Sequence, residues 1–140
     1  MSASSSFDLS LADRLRAAAR EAAGHAYAPY SGFRVGAALL FDDGSMATGC
    51  NVENVSFGLT SCAERNALFR AISERGAGHR IVAIAVTNLN DAASPPCGAC
   101  RQVLGEFIAP DAPVSFPAAD GVRTMAFREL LPMGFEMKLP

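Results

Sequence analysis

Cys62-Ala63-Glu64-Arg65-Asn66-Ala67-Leu68-Phe69-Arg70-Ala71-Ile72 and, further on, Ile81-Val82-Ala83-Ile84-Ala85-Val86 are the stretches whose reading decides the fold. From Cys62 to Arg75 the apolar residues Ala67, Leu68, Ala71 and Ile72 recur at helical spacing, and Gly76-Ala77-Gly78 supplies a C-terminal stop. Ile81 to Val86 is a continuous apolar, largely β-branched run, as expected of a strand covered on both faces. A strand before this helix and a buried strand after it predict a crossover onto a parallel neighbour.

Working upstream, Phe33 to Phe41 and Met46 to about Val52 read as strands joined by the hairpin loop Asp42-Asp43-Gly44-Ser45. Ala28-Pro29-Tyr30-Ser31-Gly32 is a turn. Before it, Ser10 suits an N-cap, and Leu11, Leu15, Ala18 and Ala22 mark one face of an amphipathic helix that ends before Pro29. Downstream, Asn88 to Pro96 is a loop, and a short helix runs from Cys97 to about Phe107. Val114-Ser115-Phe116, the Asp120-Gly121 turn and Val122 to Ala126 form a closing hairpin, and Arg128 to Leu131 makes a last helical turn. Five strands with helices on both sides give a three-layer α/β/α sandwich. No linker or repeat divides the chain, so residues 1–140 are read as one domain with a flexible tail at 1–7.

The 140 residues are half hydrophobic with a formal net charge of −2, and the isoelectric point is near 5.6. That composition lacks the basic face of a nucleic-acid binder and suits a small-molecule substrate. Met1 to Phe7 has no apolar segment like that of a secretory signal, and no run is long enough to span a bilayer. Four cysteines without an export signal read as metal ligands or reduced thiols in a cytoplasmic protein.

Cys97 and Cys100 stand three apart at a helix start, and Cys62 opens another helix. Three thiolates suit a tetrahedral zinc with one open position. A redox dithiol would leave Cys62 idle, and a structural zinc wants a fourth protein ligand. Cys50, His25 and His79 have no convincing spacing for that role; Cys50 reads as core and the histidines as surface. Glu64, two residues after the first sulfur, is placed to handle protons of a water at the open position. Three thiolates on a divalent cation leave one net negative charge, which Arg65 beside Glu64 would offset. Arg101 reads as structural. Asn51-Val52-Glu53-Asn54 crowds polar groups at a strand end, where turn chemistry and substrate binding both remain open.

Four segments in register carry a family resemblance: Tyr30 to Leu39, Gly49 to Asn54, Cys62 to Arg65, and Pro96-Cys97-Gly98-Ala99-Cys100-Arg101-Gln102. Together they resemble the small homotetrameric cytidine deaminases, whose ligand-x-Glu and Pro-Cys-x-x-Cys elements hold zinc around the reacting base. The resemblance implies a five-stranded mixed sheet, one zinc per chain, and hydrolysis of cytidine and deoxycytidine in pyrimidine salvage. It further implies zinc on Cys62, Cys97 and Cys100, proton transfer by Glu64, and Arg65 on the thiolates. Phe33 would pack on the pyrimidine, Asn51 and Glu53 would hold the ribose, and the backbone at Ala63 and Pro95 would contact the base. Pro95, Phe57 and Asn66 depart from the family's commoner Ser or Thr, Tyr and Thr. The ending Met133-Gly134-Phe135-Glu136-Met137 is similar to that of blasticidin S deaminases, the alternative reading, but those lack Asn-x-Glu-Asn.

Overall fold

A computed structural model of the chain describes residues 9–137 and 139; the tail expected at 1–7 lies outside them. The helix α1 (Leu9–Ala23) is followed by the hairpin strands β1 (Val35–Phe41) and β2 (Met46–Cys50), and then by α2 (Ala63–Arg75) and β3 (Ile81–Asn88). The short helix α3 (Gly98–Leu104), strands β4 (Pro113–Ala118) and β5 (Gly121–Ala126), and the single turn α4 (Phe127–Leu130) complete it. Among the described residues no helix is long and apolar enough to cross a membrane.

The strands form one mixed sheet in the order β2-β1-β3-β4-β5. Alternation along β1 and β3 decides the layers, because successive side chains leave a strand on opposite faces. Ala37, Leu39, Phe41, Ile84 and Val86 join a core with Ala67 and Leu68 of α2 and Cys100 and Leu104 of α3. Ala38, Leu40, Ala83 and Ala85 instead meet Leu15 and Ala19 of α1. The three-layer sandwich is therefore present. Buried Ala12, Leu15, Ala19, Ala22 and Ala23 form the inner stripe of α1, with Leu11 and Ala18 packed at its margin. Ser10 lies inside α1, which begins no later than Leu9, so it is not the N-cap.

One topological expectation is corrected. β2 and β3 point the same way, yet they are not neighbours, since each pairs antiparallel with β1. The four-residue turn at Asp42–Ser45 holds β2 on one side of β1 and leaves the other side for β3. The parallel neighbour of β3 is β4, reached through α3. This arrangement gathers three chain ends at one edge of the sheet. β2 and β3 finish there, and the antiparallel β1 starts there, with Val35 opposite Asn88 and Gly36 opposite Cys50.

Two glycines allow the helices to sit close enough. A Cβ at Gly36 would stand 1.9 Å from the Ala19 carbonyl oxygen, and one at Gly49 would stand 2.4 Å from the Ala67 nitrogen. Backbone lies in both places, so no rotamer change can make room. Gly36→Ala is expected to lower the unfolding free energy by about 1–3 kcal/mol, read from the urea midpoint. A midpoint like that of the parent would show that α1 does not depend on this close approach.

Candidate metal centre and active site

Both helices that start at this edge carry a cysteine at the N-cap: Cys62 for α2 and Cys97 for α3. The start of α2 is fixed by a two-way backbone pairing of Val52 with Ser61, at 3.0 and 2.9 Å. The Asn66 amide adds a donation to the Cys50 carbonyl at 2.7 Å and accepts from the Ser61 hydroxyl at 2.6 Å. The start of α3 is held by Arg101, which donates to the carbonyls of Pro96 at 2.8 Å and Leu130 at 3.0 Å. Arg101 is thus structural, as expected.

These anchors bring Cys62 Sγ to 3.7 Å from Cys97 Sγ, and Cys97 Sγ to 3.4 Å from Cys100 Sγ. All three sulfurs lie within 4.8 Å of one another, and among the described residues no fourth ligand atom of this kind belongs to the group. Cys50 stands apart and is only half-buried, short of the core position expected for it. His25 is exposed; His79 is part-exposed between Asp42 and Asp43, at 3.3 and 3.7 Å.

Glu64 is on the first turn of α2 and only 4% exposed. Burial pushes its carboxyl above the ordinary range and the neighbouring Cys62 thiolate adds to this, against opposing pulls from its own backbone amide, Cys100 and, least, Arg65. The Cys62 thiol is lowered to about 5, chiefly by a hydrogen bond from Cys100 and further by Arg65. The same bond to Cys62, with burial, pushes Cys100 upward. Arg65 donates to Cys62 Sγ at 3.3 Å, and that contact raises its own pKa. Its Nε is buried without a hydrogen-bond partner among the described residues. The hydrogen bond that the guanidinium does make goes to the Cys62 sulfur.

The remaining predicted residues border the same edge. Phe33 is half-buried at the entry to β1, Ala63 is the buried first residue of α2, and Pro95 is exposed in the loop before Cys97. The Asn51 amide donates to the Phe33 carbonyl at 2.8 Å and accepts from the Val35 amide at 2.9 Å. One Glu53 carboxylate oxygen accepts from the backbone of Tyr30 and Ser31 at 2.9 and 3.1 Å, and the other accepts from the Ser31 hydroxyl. That hydroxyl is the main reason the Glu53 pKa is lowered. Each of these two side chains organises the loop before β1 and still has hydrogen-bonding capacity to offer.

The model of the cytidine and deoxycytidylate deaminase zinc-binding region matches residues 10–115. The chain belongs to this deaminase family. A cytidine deaminase of Halalkalibacterium halodurans is 52% identical over 112 residues, 79% of this chain and 83% of that protein. One from Mycobacterium tuberculosis is 47% identical over 121 residues, 86% of each chain. The crystal structure of a cytidine deaminase from that organism superposes with a TM-score of 0.79 at 43% identity, covering 89% of this chain and 97% of the other. The Burkholderia pseudomallei enzyme gives 0.77 at 46% identity, covering 88% and 98%. The mixed sheet and its helices are the cytidine deaminase fold.

Within this deaminase the donor set fits zinc. Sulfurs ligated tetrahedrally at about 2.3 Å stand about 3.8 Å apart, close to the separations seen here. Two features were not legible as part of the site. Asn88, buried at the end of β3, folds the loop toward Cys97 around itself; an asparagine closing an apolar strand was the available signal. Gln102 exchanges hydrogen bonds with the backbone of Phe135 at 2.9 and 3.0 Å, tying the C-terminal segment to α3. Elemental analysis of the purified protein is expected to find one zinc per chain, and Cys97→Ala should lose it on dialysis against a chelator. Full zinc retention in that variant would remove Cys97 from the ligand set.

Proposed function

We propose that this chain, acting as one catalytic domain, hydrolyses cytidine and deoxycytidine to uridine and deoxyuridine, releasing ammonia, in pyrimidine salvage. The observation that carries the reading is the buried carboxyl of Glu64 against a three-sulfur centre with an open side. Cys62, Cys97 and Cys100 hold zinc, which when bound supplies the Lewis acidity that makes water nucleophilic near neutral pH. Glu64 takes a proton from the attacking water and delivers it to N3 of the base. It then carries the second proton to the departing amino group, as the C4–N bond breaks and the C4–O bond remains. Its raised pKa suits both roles, because a carboxyl nearer neutrality both accepts and donates.

Arg65 offsets the charge of the thiolates. Phe33 packs on the pyrimidine, and the backbone at Ala63 and Pro95 meets its carbonyl and amino groups. Asn51 and Glu53 hold the ribose with the capacity their loop contacts leave. The names borne by the relatives support cytidine as the substrate, and Asn51 and Glu53 favour a nucleoside over blasticidin S. The reduced thiols that a zinc centre requires support a cytoplasmic setting. Exposed Val55, Phe57, Leu59 and Phe135, each more than 70% accessible, support a homotetramer that covers them.

An ultraviolet assay is expected to show turnover of cytidine and deoxycytidine, with little on cytosine or blasticidin S. Equal rates on cytosine and cytidine would overturn the ribose role of Asn51 and Glu53. Glu64→Gln should retain zinc and fold while losing at least about 10²-fold in turnover; near-parental activity would place the proton transfer elsewhere. Sedimentation velocity should give a tetramer at assay concentrations, and a fully active monomer would refute that assembly.

A further inference from the structure

We infer that Asn90 is a positioning residue for the reaction, holding Phe33 in place from the loop that leads to Cys97. The inference rests on the proposed packing of Phe33 against the pyrimidine.

Asn88 closes β3 and is 3% exposed. Its carboxamide oxygen accepts from the amides of Asn90 at 2.9 Å and Ala92 at 3.3 Å. Its nitrogen donates to the Ala92 carbonyl at 2.8 Å and the Ser94 hydroxyl at 2.9 Å. Two acceptor and two donor positions are all a carboxamide has, so the loop is wound on a fully satisfied side chain. From this loop Asn90 reaches back to the segment entering β1. Its oxygen accepts from the Arg34 amide at 3.1 Å, and its nitrogen donates to the Gly32 carbonyl at 3.1 Å. Those two backbone groups flank Phe33.

Asn51, on the other side, takes the Phe33 carbonyl and the Val35 amide. The segment entering β1 is thus gripped by one carboxamide following β2 and one following β3. The register explains why side chains do this. The β1–β3 ladder reaches Val35 opposite Asn88, and the Leu89 amide still donates to the Arg34 carbonyl at 3.0 Å. Beyond that point the backbones part, and the Asn90 side chain bridges the gap as a further rung. Asn90 is itself exposed. Water can replace its bonds in the unliganded fold, so its loss should loosen Phe33 far more than it unfolds the domain.

The test is a double-mutant cycle on zinc-loaded, full-length protein, with kcat, KM for cytidine, zinc content and urea midpoint measured for each variant. Phe33→Ala should raise KM. Asn90→Ala should raise KM about three- to tenfold, with kcat within about twofold and zinc and midpoint unchanged. In the Phe33→Ala background, adding Asn90→Ala should do nothing more, because there is no ring left to hold. Asn90→Asp, which keeps the acceptor for Arg34, should recover part of the loss. If Phe33→Ala raises KM but Asn90→Ala does not, or if the two effects multiply independently, the positioning role is wrong and the Phe33 reading stands. If Phe33→Ala leaves KM unchanged, the Phe33 reading fails and the positioning role falls with it. A lowered midpoint accompanying the loss in Asn90→Ala would assign Asn90 to folding instead and overturn the inference.

Discussion

Cys62 and Cys97 lie thirty-five positions apart in the chain with their sulfurs 3.7 Å from one another, and a metal centre tolerates errors of only about 0.2 Å in its ligand distances. That requirement explains why so much hydrogen bonding is spent on the starts of two helices. Val52 and Ser61 pair across backbone, Asn66 ties the first turn of α2 to the end of β2, and Arg101 clamps the residue before Cys97 to the end of α4. Gly49 serves the same end by letting α2 lie on β2 at backbone contact. Without that approach the first thiol would sit farther from the second, whatever the local sequence around it.

Bringing sulfurs and a carboxyl together creates an electrostatic difficulty that the site meets unevenly. The same hydrogen bond lowers Cys62 and raises Cys100, so Cys100 holds its proton more firmly than Cys62 does. Zinc binding requires thiolates and so releases protons, which makes occupancy weaken as pH falls. Arg65 and the positive end of the thirteen-residue α2 are the counterweights. α3, only seven residues long, adds less. Glu64 responds in the other direction, its burial favouring the neutral acid.

The antiparallel β1 between two strands of common direction is what converts a metal centre into a site with walls. It delivers the chain before Val35 to the edge where α2 and α3 begin. Polar side chains then extend the sheet beyond its ladder: Asn51 and Asn90 bridge the backbone around Phe33, and Glu53 collects the turn before it. The polar residues proposed to meet substrate, Asn51 and Glu53, are also residues that shape this loop.

The strands and helices were legible in the sequence because each has a local cause. Ile81 to Val86 is apolar without a break, α2 carries its stripe at helical spacing, and the Asp42–Ser45 turn separates two apolar runs. The three-cysteine cluster was legible for a similar reason, since Cys62-x-Glu64 and Cys97-x-x-Cys100 are short patterns that chemistry constrains tightly. The order of strands was not: a crossover from β2 to β3 looks the same in sequence whether or not β1 lies between them, because pairing is a choice among distant partners. Nor could sequence show that Asn51, Glu53, Asn88 and Asn90 already spend hydrogen bonds on one another's loops. A polar side chain at a strand end can serve water, substrate or backbone equally well, and only the tertiary arrangement brings specific carbonyls and amides within about 3 Å of it.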